Sequence, residues 1–163
     1  MEIAQKISEM SKCCKLKVGS VLTMDDRVIG TGYNGSPSGF DNCDEYFQTH
    51  PIEGHHEWSA NFELHAEMSA ILYAASAGIK TRGATLYCNY IPCHNCLKHI
   101  VQSGISRVVY KNEHPKVKYT DDTYNLIKVA KLEVQQIRHD GTLLNPVTGS
   151  VTFEFVQNLK FQE

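Results

Sequence analysis

The sequence of 163 residues has no excess of positive charge, no long apolar run and no internal repeat. Lys and Arg number 16 against 18 Asp and Glu, a net charge of −2, whereas proteins that bind nucleic acid usually carry a basic surface. No stretch approaches the roughly 18 consecutive apolar residues of a membrane-spanning helix. We therefore expect no membrane and no nucleic-acid partner.

The N-terminal segment lacks the basic and then apolar pattern of a secretion signal, and no linker or low-complexity tract interrupts the chain. Apolar residues make up 42% of the composition and charged residues 21%, which is typical of a globular protein. We predict one domain over residues 1–163 in a reducing cytoplasm, the host's cytoplasm if the chain is viral.

Six cysteines and eight histidines are unusual for such a chain. Cytoplasmic proteins seldom use cysteines for disulfides, so metal binding or redox chemistry is the more common purpose of a C-x-x-C pair. Cys93 and Cys96 form such a pair directly after Pro92. The spacing alone leaves a metal site and a redox dithiol open.

His65 lies 28 positions upstream of Cys93, and Glu67 follows it by two residues, at the start of a second helical pattern. The apolar positions of that helix are Met68, Ile71, Leu72 and Ala75. The helix after Pro92 carries a stripe of Leu97, Ile100 and Val101. Both patterns end at a glycine. The positive end of each helix dipole favours anions, which helps to hold the cysteines as thiolates.

The three ligands His65, Cys93 and Cys96 suit zinc and leave its fourth position for water, the arrangement of a catalytic site. Zinc lowers the pKa of bound water from about 15.7 to about 7. Glu67 can then act as general base and general acid beside that water. Together these residues match the H-x-E…P-C-x-x-C signature of zinc nucleobase deaminases.

Apolar segments alternate with helical patterns in the second half of the chain, which predicts parallel strands there, whereas the first two strands should form a hairpin. The predicted fold is α/β, a three-layer α/β/α arrangement around a mixed five-stranded sheet. The five strands are predicted at 18–23, 27–32, 84–89, 107–111 and 132–137. A further short strand is predicted at 151–156.

Four motifs in this order resemble the phage-type deoxycytidylate (dCMP) deaminases of the cytidine deaminase-like zinc superfamily. They are Val18-Gly19-Ser20-Val21, Gly32-Tyr33-Asn34-Gly35-Ser36-Pro37-Ser38-Gly39, His65-Ala66-Glu67 and Pro92-Cys93-His94-Asn95-Cys96. The resemblance covers about residues 1–138, which we interpret as the catalytic core. It leaves 139–163 as a C-terminal extension of unknown role.

The resemblance implies hydrolysis of dCMP to dUMP and ammonia, which supplies dUMP for dTMP synthesis. In that family zinc hydroxide attacks C4 of cytosine, and the glutamate, here Glu67, moves the proton to N3 and then to the leaving ammonia. It also implies that Asn34 contacts the sugar and that the backbone of Ala66 binds the pyrimidine. Tyr90, close to Pro92 in sequence, is a further candidate for the base pocket.

The resemblance also makes the first loop an allosteric site at which dCTP activates and dTTP inhibits, with magnesium on the triphosphate. Glycines allow backbone N–H groups to approach phosphates, although an ordinary turn has the same composition. The residues implied are Gly32, Tyr33, Asn34, Gly35, Ser36, Pro37 and Gly39. Such allostery accompanies a homo-hexamer in this family.

Phage members of the family carry a second, structural zinc, and the matching positions here are Cys13, Cys43, His55 and Glu63. Residues 40–62 show little periodicity, and a metal would order a loop of that length. A carboxylate ligand is permitted at zinc but is less common than thiolate or imidazole at a structural site. Alternative ligands are Cys14, His50 and His56.

No motif identifies the residues that bind the substrate phosphate. The candidates by chain position are Lys98, Arg107, Lys116, Lys118 and Tyr119. Most surface cations are simply solvated, so the sequence does not choose among them.

Two other functions share parts of this pattern. A deaminase of bases in tRNA or single-stranded nucleic acid has the same zinc signature, but the net charge of −2 argues against it. A non-catalytic, zinc-stabilised binding module would have no use for a free carboxylate such as Glu67 beside its metal.

Overall fold

The computed structural model describes residues 1–153, which contain one sheet in the order β2-β1-β3-β4-β5-β6-β7. The strands are β1 (Gly19–Met24), β2 (Arg27–Tyr33), β3 (Thr85–Tyr90), β4 (Arg107–Asn112), β5 (Glu133–Ile137), β6 (Thr142–Leu144) and β7 (Val151–Phe153). The α/β fold class is therefore confirmed.

The pairing of the strands follows the predicted mixture. β1 pairs antiparallel with both β2 and β3, whereas β3, β4 and β5 are mutually parallel. Asp25 and Asp26 form the tight turn of the first hairpin with φ angles of 49° and 60°, a conformation that Asp tolerates better than most residues.

The described sheet has seven strands rather than the predicted five. Two short antiparallel strands, β6 and β7, extend it beyond β5. β7 coincides with the first three positions of the short strand predicted at 151–156, whereas β6 has only three residues and no clear alternating pattern. The turn between them is fixed by the side chain of Asn145, whose oxygen accepts from the N–H groups of Val147 and Thr148. Positions 154–156 of the predicted last strand lie outside the described residues.

Helices cover both faces of the sheet, as expected for three layers. They are α1 (Glu2–Ser8), α2 (Cys43–Tyr46), α3 (His55–Phe62), α4 (Ala66–Ser76), α5 (His94–Gln102) and α6 (Asp121–Ala130). α4, α5 and α6 bury their apolar sides in the main core on one face, while α1 packs on the other face. Among residues 1–153 no helix has the length and apolar character needed to span a bilayer.

The segment of residues 40–62 is more ordered than its sequence predicts. It contains α2, a 3₁₀ turn at Ile52–Gly54 and α3. Tyr46 and Phe47 pack against Trp58 with ring centroids 5.0 and 5.4 Å apart. These helices are short and their contacts lie between turns distant in sequence, so no helical period is visible.

Glycines allow the helices to approach the first hairpin closely. Gly19 of β1 faces α1, and Gly32 of β2 faces α4. A β-carbon on Gly32 would collide with the backbone of Ala66 and Ala70. Beside it, the Ser20 hydroxyl donates to the Ala66 carbonyl at 2.7 Å. These contacts hold the start of α4 against the sheet.

We expect Gly32→Ala to lower the free energy of unfolding by about 2–4 kcal/mol, because the new methyl group meets backbone atoms of α4 rather than a movable side chain. Thermal or urea unfolding measures the change. Gly54→Ala is the matched control, since a β-carbon there has no heavy atom within 4 Å. Equal stability of the two variants would contradict the proposed close packing.

Candidate functional site

The predicted ligands His65, Cys93 and Cys96 converge at one point. The Nδ1 atom of His65 lies 3.3 Å from the Cys96 sulfur and 3.6 Å from the Cys93 sulfur. All three ligand atoms lie within 4.8 Å of one another. The structure therefore brings together residues that are 28 and 31 positions apart in the chain.

Two helix N-termini create this meeting point. His65 is the N-cap of α4, and Cys93 is the N-cap of α5 directly after the end of β3. The Cys96 N–H points at the Cys93 sulfur, 3.5 Å away. Free N–H groups and the positive end of the helix dipole favour a thiolate at this position.

The two thiols differ in their proton affinity. Cys96 donates a hydrogen bond to Cys93, which lowers the pKa of Cys93 to about 3, and the neighbouring His65 acts in the same direction. The same hydrogen bond, together with burial, raises the pKa of Cys96. The hydrogen bond to Cys93 raises the pKa of His65 to about 9. The three groups are thus arranged around the thiolate of Cys93.

Glu67 lies in the first turn of α4 and is only 4% exposed. Burial raises the pKa of its carboxyl group. A carboxyl with a raised pKa holds and returns a proton more readily near neutral pH. This is the property required of a proton shuttle.

The donor set fits a zinc ion. One imidazole nitrogen and two cysteine sulfurs are typical zinc ligands, and three protein ligands leave one tetrahedral position open. The geometry also fits a zinc ion, since Nδ1 of His65 faces the sulfur atoms of both Cys93 and Cys96. No fourth His, Cys, Asp or Glu of residues 1–153 joins this cluster.

A cavity of about 700 Å³ opens over this cluster. Its lining includes His65, Glu67 and Cys93 together with the predicted substrate-binding residues Asn34, Ala66 and Tyr90. A volume of this size is typical of small-molecule sites. The cavity therefore joins the cluster to the predicted substrate contacts Asn34, Ala66 and Tyr90.

Asn34 has a structural task in addition to its place on the cavity wall. Its side chain accepts from the Val18 N–H at 2.8 Å and donates to the Leu16 carbonyl at 3.0 Å. Its own carbonyl accepts from the Ser11 hydroxyl. One amide proton and one lone pair remain for a ligand, so the predicted sugar contact stays a prediction.

Ala66 and Tyr119 differ in position. The Ala66 carbonyl accepts a hydrogen bond from the Ser20 hydroxyl. The N–H of Ala66 is at the first position of α4 and has no acceptor within the helix. Tyr119 packs against the main core instead of lining the cavity. Its buried hydroxyl has no hydrogen-bond partner within the described residues. A substrate role for Tyr119 remains a prediction.

The second predicted ligand set also converges. The ligand atoms of Cys13, Cys43, His55 and Glu63 all lie within 4.8 Å of one another. The Cys13 sulfur is 3.3 Å from Nε2 of His55, and the Cys43 sulfur accepts from the Cys14 N–H at 3.3 Å. Burial raises the pKa of both cysteines, that of Cys43 to about 12.

The Glu63 carboxylate indicates that this second cluster is built for a cation. Its Oε2 atom accepts from the Ser59 hydroxyl at 2.6 Å. Its Oε1 atom is buried and has no partner among residues 1–153. A buried, unpartnered carboxylate oxygen is costly unless a cation binds it, and two thiols and an imidazole lie beside it.

The alternative ligands named from the sequence lie elsewhere. Cys14 is exposed, and His50 stacks on Tyr46 with ring centroids 3.9 Å apart. His56 is exposed and lines the cavity instead of joining the cluster. Within the described residues only the four primary candidates share one site.

The predicted effector residues 32–39 extend from β2 onto the surface. Gly35 and Leu64 exchange two backbone hydrogen bonds of 3.1 and 2.9 Å, which fix the loop to the strand-like segment before α4. Tyr33, Pro37 and Gly39 are exposed, and Gly39 has a φ of 90°. At Gly32 a glycine is required for a different reason, because α4 packs too closely on β2 to leave room for a β-carbon.

Several cavity residues were not anticipated from the sequence. They are Lys15, Glu53, Ser59 and His114. They lie in loops and in a short helix without a recognisable motif, so only the tertiary structure brings them to the cavity. Of the cations named earlier, Lys116 lines the cavity, whereas Lys98, Arg107 and Lys118 do not.

Comparison with known proteins agrees with this geometry. Residues 1–112 match the family model described as the cytidine and deoxycytidylate deaminase zinc-binding region. The deoxycytidylate deaminase of Enterobacteria phage T2 is 38% identical over 167 residues, which cover 82% of this chain and 88% of the relative. That of Saccharomyces cerevisiae is 36% identical, over 83% of this chain and 43% of the relative.

A solved structure supports the same assignment. The dCMP deaminase of cyanophage S-TIM5, determined in complex with dCMP and dUMP, is 31% identical, with a TM-score of 0.66 over 83% of this chain and 91% of that one. The resemblance inferred from the four sequence motifs is confirmed. The chain belongs to the cytidine and deoxycytidylate deaminase family.

Proposed function

We propose that this protein catalyses the hydrolytic deamination of dCMP to dUMP and ammonia, and that the dUMP enters dTMP synthesis. The observation that carries the proposal is the buried Glu67 beside the His65, Cys93 and Cys96 cluster, in a cavity that Glu67, His65 and Cys93 help to line. The similarity to phage deoxycytidylate deaminases over most of the chain supports dCMP as the substrate.

In this proposal His65, Cys93 and Cys96 hold zinc, which, when bound, leaves one coordination position for water and makes that water a nucleophile near pH 7. Glu67 takes the proton of the water as it attacks C4 of the cytosine, and delivers it to N3. Glu67 then transfers a second proton from the new hydroxyl to the amino group. The C4–N bond breaks, and ammonia leaves with dUMP as the other product.

Other cavity residues orient the base and sugar. The free N–H of Ala66 at the start of α4 donates to the pyrimidine, and Tyr90 forms one wall of the base pocket. Asn34 binds the sugar with its remaining amide proton. Because Asn34 also ties Leu16 and Val18 to the loop, the sugar contact is held in place by the backbone around it.

We also infer a second, structural zinc on Cys13, Cys43, His55 and Glu63. The unpartnered Oε1 of Glu63 and the two buried sulfurs support it. A metal there would join the loop after α1 to α2, α3 and the segment before α4, which share only a small apolar cluster with Cys13, Cys43 and Trp58 as its buried residues.

Regulation is the third part of the proposal. dCTP activates and dTTP inhibits at residues 32–39, with magnesium on the triphosphate and a homo-hexamer as the working assembly. The exposed loop and its backbone hydrogen bonds to Leu64, the neighbour of His65, support a connection between the effector and a metal ligand.

We place the reaction in the cytoplasm, because none of the six cysteines forms a disulfide bond within the described residues.

Ultraviolet absorbance assays with dCMP, deoxycytidine, CMP and a cytosine-containing oligonucleotide test the activity. We expect dCMP to give the highest kcat/KM, with dCTP raising the rate and dTTP lowering it. Activity on the oligonucleotide but not on dCMP would overturn the proposal in favour of a nucleic-acid deaminase. A rate insensitive to dTTP would contradict the regulatory part and leave the catalytic part standing.

We expect Glu67→Gln to retain bound metal and to lower kcat at least about 10²–10⁴-fold, because an amide cannot carry the proton between water, N3 and ammonia. Single-turnover assays with metal analysis of the same sample make the measurement. Glu57→Gln, an exposed change in α3, is the control and should retain full activity. Turnover surviving in Glu67→Gln would contradict the assigned proton shuttle.

Metal analysis of the purified protein should find two zinc ions per chain. We expect Cys43→Ser to leave one zinc and to lower the melting temperature, since the second metal joins separate elements. Cys14→Ser is the matched control, because Cys14 is adjacent to the site but exposed and outside the ligand cluster. One zinc per chain in the unmodified protein would refute the structural site.

A further inference from the structure

The loop between α1 and β1 belongs to both sites. Cys13 of this loop is a member of the second cluster. Leu16 and Val18, further along the same loop, are held by the side chain of Asn34. All four of these residues line the cavity. The loop therefore lies between the second cluster and the residue to which we assign the sugar.

Ser11 joins these two parts through one hydroxyl group. Its Oγ atom donates to the Asn34 carbonyl at 2.8 Å and accepts from the backbone N–H of Cys13 at 3.2 Å. Ser11 is fully buried, where a hydrogen bond is electrostatically stronger than in water. One buried hydroxyl thus connects the backbone of a second-cluster residue with the backbone of Asn34.

The hydrogen bonds of Asn34 make its orientation depend on this connection. Its backbone N–H donates to the Val18 carbonyl at 3.1 Å, and one of its two amide protons is donated to the Leu16 carbonyl. Only the second amide proton is left for a ligand in the cavity. A shift of the Asn34 carbonyl away from Ser11 would change where that proton points.

We propose that Ser11 is a positioning residue that couples occupancy of the second metal site to the affinity of the cavity for the nucleotide. When the four ligands hold zinc, the backbone of Cys13 is fixed. The Cys13 N–H then holds the Ser11 hydroxyl, which holds Asn34 in the orientation that binds the sugar. Ser11 does not line the cavity and acts only through Asn34. The inference rests on the proposed function, which supplies the second zinc and the sugar contact.

A second path leads from the same cluster to the same asparagine. Glu63 is followed by Leu64, which exchanges two backbone hydrogen bonds with Gly35, the neighbour of Asn34. Only the first path contains the Ser11 hydroxyl. A double-variant cycle therefore distinguishes the two paths, because variants on one path have effects that do not add.

The cycle combines Ser11→Ala with Cys43→Ser. Cys43 belongs to the second cluster but does not line the cavity, so its substitution removes the metal without removing a contact to the nucleotide. Ser8→Ala is the matched control. Ser8 is also buried, but its hydroxyl donates at 2.7 Å to the Gln5 carbonyl of its own helix. The zinc content and melting temperature of each variant are measured on the same samples.

The measured quantity is the Kd for dUMP from calorimetric titration. We expect Ser11→Ala and Cys43→Ser each to raise Kd about threefold to tenfold, the value of one hydrogen bond, and the double variant to stay within about twofold of the weaker-binding single variant. KM for dCMP should rise in parallel while kcat changes less than about twofold, because Glu67 is untouched. Ser8→Ala should retain the Kd of the unmodified protein.

Three results would overturn the coupling through Ser11. The first is a double variant whose Kd rises by the product of the two single effects, because the second path would then carry the effect of the metal. The second is a Ser11→Ala protein that binds dUMP as tightly as Ser8→Ala. The third is unchanged dUMP affinity in a Cys43→Ser protein that has lost its second zinc, a result that does not depend on the folding of Ser11→Ala.

Hydrogen–deuterium exchange gives a readout that needs neither turnover nor nucleotide. We expect backbone amides of residues 33–36 to exchange faster in Ser11→Ala and in Cys43→Ser than in Ser8→Ala. Equal exchange in the three variants would overturn the positioning role. Faster exchange in a protein that neither binds dUMP nor deaminates dCMP would contradict the proposed function and confirm that Ser11 couples the second cluster to Asn34.

Discussion

The close approach of α4 to β2 at Gly32 is the constraint on which the rest of the site depends. Only a residue without a β-carbon allows the first turn of α4 to rest on the strand, where Ser20 holds the Ala66 carbonyl. That turn carries Glu67 and follows His65 directly. Since β1 pairs with β3, and β3 leads directly to Cys93, the same contact brings the histidine to the two cysteines. The packing of α4 on β2 and the pairing of β1 with β3 together therefore set the positions of the metal ligands and of the buried carboxylate.

The two ligand clusters are linked through one short segment. Glu63 belongs to the second cluster and His65 to the first, and Leu64 between them exchanges backbone hydrogen bonds with Gly35. A change in the loop after β2 or in the second cluster therefore has a direct covalent and hydrogen-bonded route to a catalytic ligand. Glu63, His65 and Ala66 of the same segment line the cavity, so the elements that order the loop also shape the cavity.

Most of the fold could be predicted from the sequence because two signals are local: the periodic spacing of hydrophobic residues along a helix or strand, and the glycines at which helices end. The helix at Met68 to Ala75 and the strands of the first hairpin follow such signals. The strand β6 and the helices α2 and α3 could not be predicted in the same way. They are only three to eight residues long, and what orders them is contact with distant residues, such as the packing of Tyr46 on Trp58.

The sequence by itself determined the chemistry: one histidine, two cysteines and a glutamate at spacings that specify a metal and a proton shuttle, in an order shared with deoxycytidylate deaminases. Such residues can be recognised in the sequence because a local pattern places each of them at the start of a helix. The tertiary structure alone decided which lysines reach the cavity, since Lys15 and Lys116 lie in loops that carry no pattern. It also decided that the four second-cluster residues converge, because burial and proximity across the chain depend on how the sheet, α2 and α3 pack together.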